Sequence, residues 1–227
     1  MAFSKPLPSI NIYIEGNIAV GKSTFLSFIK SSLSSKVECV PEPLHLWTNF
    51  HGNNLLASSH SNPPQAFLLQ TYIQLTMARI HMQHPTAPIR VMERSLSSER
   101  RIFIEALKIE GLLTLPEYLI LDEWYKFLTT KIPPASEIIY LRSNPDIAFQ
   151  RLLSRNRLEE KETKLAYIHL LHKLYESWLN PQIPHPFKLT IIDCNQELSL
   201  LKPIYNSVIS RLKLQQHHVS IQRRHSL

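Results

Sequence analysis

The chain has 227 residues, 44% of them hydrophobic and 19% charged, with a formal net charge of +7. That length suits one α/β domain and is short for two, and no apolar run is long enough to cross a bilayer. Two cysteines, Cys39 and Cys194, exclude a disulfide framework and read as buried free thiols.

The charge does not argue for nucleic acid. Several basic residues sit in the tail QQHHVSIQRRHSL, which reads as solvated, and no aromatic residues interleave with a basic stripe. The remaining excess suits a triphosphate substrate. Met1 to Ser9 is short and lacks the apolar core of a targeting peptide, so the expectation is a cytoplasmic protein with no membrane partner.

In chain order, Ile10 to Glu15 alternates and reads as a strand entering a glycine loop. Ser23 to Leu33 reads as a helix and Val37 to Val40 as a second strand. Asn49 to Pro64 is polar and reads as a loop; Ala66 to Met82 is helical up to the break at His84 to Pro88. Ile89 to Met92 is a third strand, followed by helices over Ser95 to Lys108 and Leu115 to Thr129. Glu137 to Leu141 is a fourth strand. Asn144-Pro145-Asp146 supplies a cap, a first-position proline and a first-turn acid for the next helix. Leu165 to Leu179 is amphipathic, Leu189 to Asp193 is a last strand, and Pro203 to Leu214 a last helix. Strands alternating with helices imply a parallel sheet covered on both faces. The reading is one domain over 1–227, with 1–9 and 215–227 as flexible tails.

The spacing Gly16-x-x-x-x-Gly21-Lys22-Ser23 falls between that first strand and its helix. Backbone N–H groups of such a turn surround an anion, and the helix N-terminus adds its positive end. Gly16, Asn17, Ile18, Ala19, Val20, Gly21, Lys22, Ser23 and Thr24 are the expected triphosphate cradle. Lys22 reaches the outer phosphates, and the Ser23 hydroxyl can ligate magnesium. Binding of a nucleoside triphosphate follows; the acceptor stays open, from water to a small hydroxyl compound.

A second carboxylate has two addresses. YLILDEW resembles an ATPase strand ending in Asp122-Glu123, but its onward periodicity makes it a helix with a solvated acidic face. Glu93-Arg94 and Glu42 instead end apolar strands, where chemistry gathers in open α/β sheets. Pro41 and Pro43 stiffen the backbone on either side of Glu42, as suits a pre-placed general base; a surface glutamate in a turn is the competing reading. Glu93 could hold magnesium, and Arg94 could stabilise the transferring phosphoryl group. Arg151 and Arg155 share a helical face, with Arg157 just beyond. They could close over a triphosphate as a lid, or form a solvated charged face.

The segments EGNIAVGKST, EPLHLW, QTYIQLTM, MERSLSSERRIF, DEWYKFL, IIYLRSNPDIAFQRLLSRNRLEE and LHKLYESWL, in that order, resemble the deoxynucleoside kinases of the thymidine kinase 2 and deoxycytidine kinase type. The resemblance implies a P-loop kinase fold, a sheet of about five parallel strands with a helical lid. It also implies phosphoryl transfer from ATP, with Mg2+, to the 5′-hydroxyl of a deoxyribonucleoside, in a homodimer. Glu42 matches the family's general base, Arg94 the arginine that orients it, and Glu93 the magnesium-linked acid. Gln70 matches the amide that reads the base edge, Trp47, Ile73 and Phe103 fall on its pocket walls, and Glu160 matches the acid at the 3′-hydroxyl. Arg151, Arg155 and Arg157 match the lid, and Asp193 and Asn195 lie in the loop against adenine. A nucleoside monophosphate kinase is the nearest alternative. The family's tyrosine at the 3′-hydroxyl is replaced here by His60, or by Ser59 under a shifted gap. Met77 matches the thymidine-accepting members. Glu99 stands where deoxycytidine-type members carry aspartate and thymidine-type members alanine. The combined expectation is deoxycytidine, or a broad pyrimidine range.

Overall fold

The computed structural model describes residues 9–33, 37–58 and 63–224, with side chains only up to 215 at the C-terminal end. Its centre is a five-stranded sheet in the order β2-β3-β1-β4-β5. These strands are β1 (Ile10–Glu15), β2 (Val37–Val40), β3 (Ile89–Glu93), β4 (Glu137–Arg142) and β5 (Lys188–Asp193). Every pairing is parallel: Ile12 aligns with Val91 on one side and Glu137 on the other. The chain leaves β1, skips a place to β2, fills the gap with β3 and then crosses to the far side for β4. The order therefore reverses between β1 and β3, which opens a crevice at their carboxyl ends.

Helices cover both faces, as the continuous burial of β1, β3 and β4 requires. On one face, α1 (Lys22–Leu33) and α10 (Leu198–Arg224) pack Phe25, Ile29, Tyr205 and Leu212 against Ile12, Ile14 and Ile139. On the other, α9 (Leu165–Trp178) lays Tyr167, Leu171 and Tyr175 over Tyr13, Met92 and Tyr140. Helices α4 (Pro63–Met82) and α7 (Leu115–Thr129) lie beyond, tied by Gln74 Nε2 donating 3.0 Å to the Leu121 carbonyl. Thr114 and Glu117 close a reciprocal cap on α7, so Asp122 and Glu123 do lie on a helix.

Several boundaries differ from the sequence reading. The polar stretch before α4 holds two short helices, α2 (Leu44–Thr48) and α3 (Leu55–Ser58), and α4 begins at Pro63 because proline fits a first helical turn. The helix expected over Ser95 to Lys108 is three pieces: α5 (Leu96–Ser98), a π-helical turn over Glu99–Ile104, and α6 (Glu105–Ile109). Helix α10 starts before Pro203 and runs to Arg224; the N–H groups of Leu200 and Leu201 already bond the Glu197 carbonyl, so proline here is an interior residue rather than a start. Cys194 is buried as expected, but Cys39 is only half-buried, and neither is in a disulfide.

Candidate active site

The crevice is built from the turns that follow β1, β2 and β3. Gly16 takes φ +145°, and a Cβ there would sit 2.5 Å from the Leu141 carbonyl oxygen, so only glycine lets the loop pass β4. Gly21, at φ +101°, turns the chain into α1. Asn17 anchors the loop from below, its Nδ2 donating 2.8 Å to the Ile168 carbonyl on α9. Lys22 is buried and folds back, donating to the carbonyls of Gly16 (3.1 Å) and Asn17 (2.7 Å). Burial, and secondarily the nearby Arg94 charge, lower its pKa to about 7.

The acids expected at the strand ends do converge. Ser23 Oγ donates 2.9 Å to Glu93 Oε1, which places a hydroxyl and a carboxylate side by side at the mouth of the loop. These are hard oxygen donors of the kind magnesium takes, together with phosphate oxygens. Arg94, at φ +64°, is turned back over the sheet, its own N–H donating 3.0 Å to the Ile14 carbonyl. Its Nε pairs with Glu42 Oε1 at 2.9 Å, and its guanidinium lies over the Phe103 ring, 4.5 Å from the centroid. Burial pushes the Glu42 carboxyl up, against the lowering pull of Arg94. A carboxylate poised upward yet held by a cation is suited to taking a proton.

Beside this pair lies a cavity. Its walls include Trp47, Ile73, Gln70, Glu99 and Phe103, with Lys22, Ser23, Glu42 and Arg94 at one end. Gln70 Oε1, Glu99 Oε1 and Thr163 Oγ1 are buried there with no hydrogen-bond partner. Burial first, and the charge of Glu42 second, push the Glu99 carboxyl well above the usual carboxylate range. A polar set left unpaired in a largely apolar cavity is what a ligand with its own donors and acceptors would satisfy.

The remaining expected residues divide. Arg155 and Arg157 line the cavity, and Arg155 forms a two-toothed pair with Glu160 on the segment after α8 (Pro145–Arg155). Asn156 at φ +49° ends that helix and swings Arg157 off its axis. Arg151 does not join them. It donates to the carbonyls of Cys194 (2.7 Å) and Gln196 (2.9 Å), so it fastens the loop after β5. Asn195 Oδ1 secures the same loop by accepting from the Asn144 N–H at 2.7 Å, and Asp193 Oδ1 accepts from the Asn195 N–H. Met77 is not a cavity wall either; it is buried behind Trp47 and Ile73 in the α4 cluster. Trp47 is itself fixed by donating 2.9 Å to Thr76 Oγ1. His60 and Ser59 lie outside the described residues.

Sequence reasoning missed several contributors, Leu69 and Tyr167 of the cavity wall among them. Thr163 and Glu159 line the cavity from a charged run that carries no local signal. Glu15 and Tyr175 stand behind Arg94, and only the buried stripe of α9 hinted at the tyrosine.

Comparison with known proteins gives one consistent result. The model of the deoxynucleoside kinase family matches residues 12–216. The human mitochondrial thymidine kinase 2 is 39% identical over 170 residues, covering 74% of this chain and 63% of that protein. A probable deoxycytidine kinase of Fowlpox virus (strain NVSL) is 32% identical over 211 residues, covering 87% of each. Human deoxycytidine kinase is 30% identical over 236 residues, covering 89% of each. The chain thus spans less than two thirds of the length of the thymidine kinase 2 it matches.

Proposed function

The chain belongs to the deoxynucleoside kinase family, and from that membership we propose that it transfers the γ-phosphoryl group of ATP to the 5′-hydroxyl of a deoxyribonucleoside. The observation that carries this reading is the Glu42–Arg94 pair at 2.9 Å, set between the phosphate loop and a cavity with unpaired polar groups.

Glu42 accepts the proton of the 5′-hydroxyl as that oxygen approaches the γ-phosphorus. Arg94 holds the carboxylate in place and offsets the charge that gathers around the transferring group. Lys22 leaves the loop carbonyls for the phosphates, and Arg155 and Arg157 close from the lid. Ser23 and Glu93 would hold a magnesium ion with the nucleotide, and that ion supplies neutralisation of the phosphate charge. Asp193 and Asn195 shape the loop proposed to meet adenine, with Arg151 as its fastener.

The base sits between Trp47, Ile73 and Phe103, with Gln70 reading its edge. A Glu99 carboxyl oxygen can accept from the exocyclic amine of cytosine, which thymine lacks. A pyrimidine is therefore favoured, with deoxycytidine ahead of thymidine. A monophosphate acceptor fits less well, because Arg94, the cation beside the acceptor cavity, is committed to Glu42. A turnover panel of the four deoxynucleosides and their monophosphates, each with magnesium-ATP, tests the reading. Phosphorylation of deoxynucleosides alone supports it; phosphorylation of monophosphates alone overturns it.

A homodimer belongs to the same reading. Leu68, Leu75 and Met82 form one exposed stripe on α4, and Ile120, Trp124 and Phe127 another on α7. A second copy would bury this apolar face. A cytoplasmic site is also part of the proposal, in keeping with two cysteines that are both free thiols.

A further inference from the structure

Arg94 is held from two sides, and only one of them is Glu42. Its Nη1 donates 2.8 Å to the Tyr175 hydroxyl and 3.3 Å to the Gly16 carbonyl. The Tyr175 hydroxyl in turn donates 3.2 Å to Glu15 Oε2. Glu15 Oε1 accepts from the N–H (2.8 Å) and the hydroxyl (2.6 Å) of Ser95, the residue after Arg94. One buried carboxylate therefore fixes the arginine twice, through the backbone that carries it and through the phenol that meets its tip. Glu15 and Tyr175 are fully buried and Arg94 nearly so.

The direction of each bond matters. Because Tyr175 gives its proton to Glu15, its oxygen lone pairs are free to face the guanidinium. Glu15 thus sets the phenol as an acceptor for Arg94. Neither Glu15 nor Tyr175 lines the nucleoside cavity. We propose that Glu15 and Tyr175 are positioning residues for catalysis: they orient the Arg94 guanidinium so that its Nε is aimed at Glu42. This rests on the kinase reading above.

The test uses the full-length protein and compares wild type with Tyr175→Phe, Glu15→Gln and the double variant. For each, kcat and KM for deoxycytidine are measured across pH, with melting temperature alongside. Tyr175→Phe keeps the ring that stacks on Tyr140 and removes only the hydroxyl. Its kcat is expected to fall by roughly 10- to 100-fold, the cost of a slight misplacement of a catalytic group, with KM changed by less than about threefold. Arg94 lowers the pKa of Glu42, so a looser Arg94 moves the acid limb of kcat to higher pH. The double variant is expected to be no worse than its weaker single, because both act through one guanidinium.

A kcat and acid limb equal to wild type in Tyr175→Phe would overturn the inference. So would a fall in kcat with the acid limb unmoved, or fully additive losses in the double variant. If Glu15→Gln does not fold, Tyr175→Phe decides alone. A wild type that phosphorylates no deoxynucleoside is the different result that defeats the kinase reading itself.

Discussion

Arg94 reaches Glu42 from a backbone in the left-handed region, with φ +64° and an Nε–Oε1 separation of 2.9 Å. Few non-glycine residues sit there, and the conformation persists because the Arg94 N–H is bonded to Ile14 and its guanidinium is committed on both sides. The strained turn lets a residue at the end of β3 point back across the crevice to the end of β2.

Arg94→Lys should therefore behave as a severe change. A lysine cannot meet Glu42, Tyr175 and Gly16 together while lying over Phe103. The expected loss in kcat is about 10²- to 10³-fold, the usual effect of removing one preorganised charge-stabilising donor. Steady-state kinetics with folding checked by circular dichroism reads this directly.

Lys22 predicts a proton linkage. In the free protein its pKa is lowered to about 7, chiefly by burial. Above that pH the amine is largely neutral, and anionic phosphates restore its charge. ATP binding at about pH 8 should thus take up protons, approaching one per site. Calorimetry in buffers of different ionisation enthalpy measures the uptake, and Lys22→Met should remove it.

Glu99 predicts a change in base preference. Glu99→Ala removes the buried acid whose Oε1 lacks a partner and leaves room near a thymine methyl. The ratio of kcat/KM for deoxycytidine over thymidine should fall by about tenfold, in the range lost with one buried hydrogen bond. Competition between the two nucleosides in one reaction gives the ratio without separate enzyme titrations.

His81 predicts a stability effect away from the site. Both of its ring nitrogens are buried without partners, and burial lowers its pKa from 6.5 to about 4. Between those values the unfolded chain binds a proton that the folded chain refuses, so stability is lost as pH falls from 6.5 towards 4. Relative to His81→Leu, wild type should lose about 3 kcal/mol across that window, at 1.4 kcal/mol per pKa unit. Urea unfolding of both proteins at several pH values gives the difference.

The parts of the site that were legible in the sequence are those whose geometry is local. The phosphate loop depends on glycines and a following helix, all within residues 16–24. Glu42, Glu93 and Arg94 were legible because they end strands, and a parallel sheet gathers strand ends on one side. What escaped depends on distant partners. Glu15 looks like the last residue of a strand, and nothing near it indicates that Ser95 and Tyr175 will meet its carboxylate. Arg151 has the spacing of a lid residue beside Arg155, but two carbonyls in the loop after β5 capture it. The match to the thymidine-accepting members puts Met77 in the pocket, but it sits on a helix whose buried side is wider than the cavity, in the layer packed with Trp47 and Ile73. Pro203 misled because a proline can begin a helix or, as here, follow a start already made at Glu197.

The account turns on the proton acceptor at position 42, and Glu42→Gln tests it most directly. Gln keeps the size of the side chain and can still accept from Arg94, but it cannot take up a proton. Single-turnover phosphorylation of deoxycytidine should slow by about 10²- to 10⁴-fold, the share a positioned general base contributes, while deoxycytidine still binds in a direct titration. Turnover in Glu42→Gln within a fewfold of wild type would contradict the proposal that this carboxylate takes the proton.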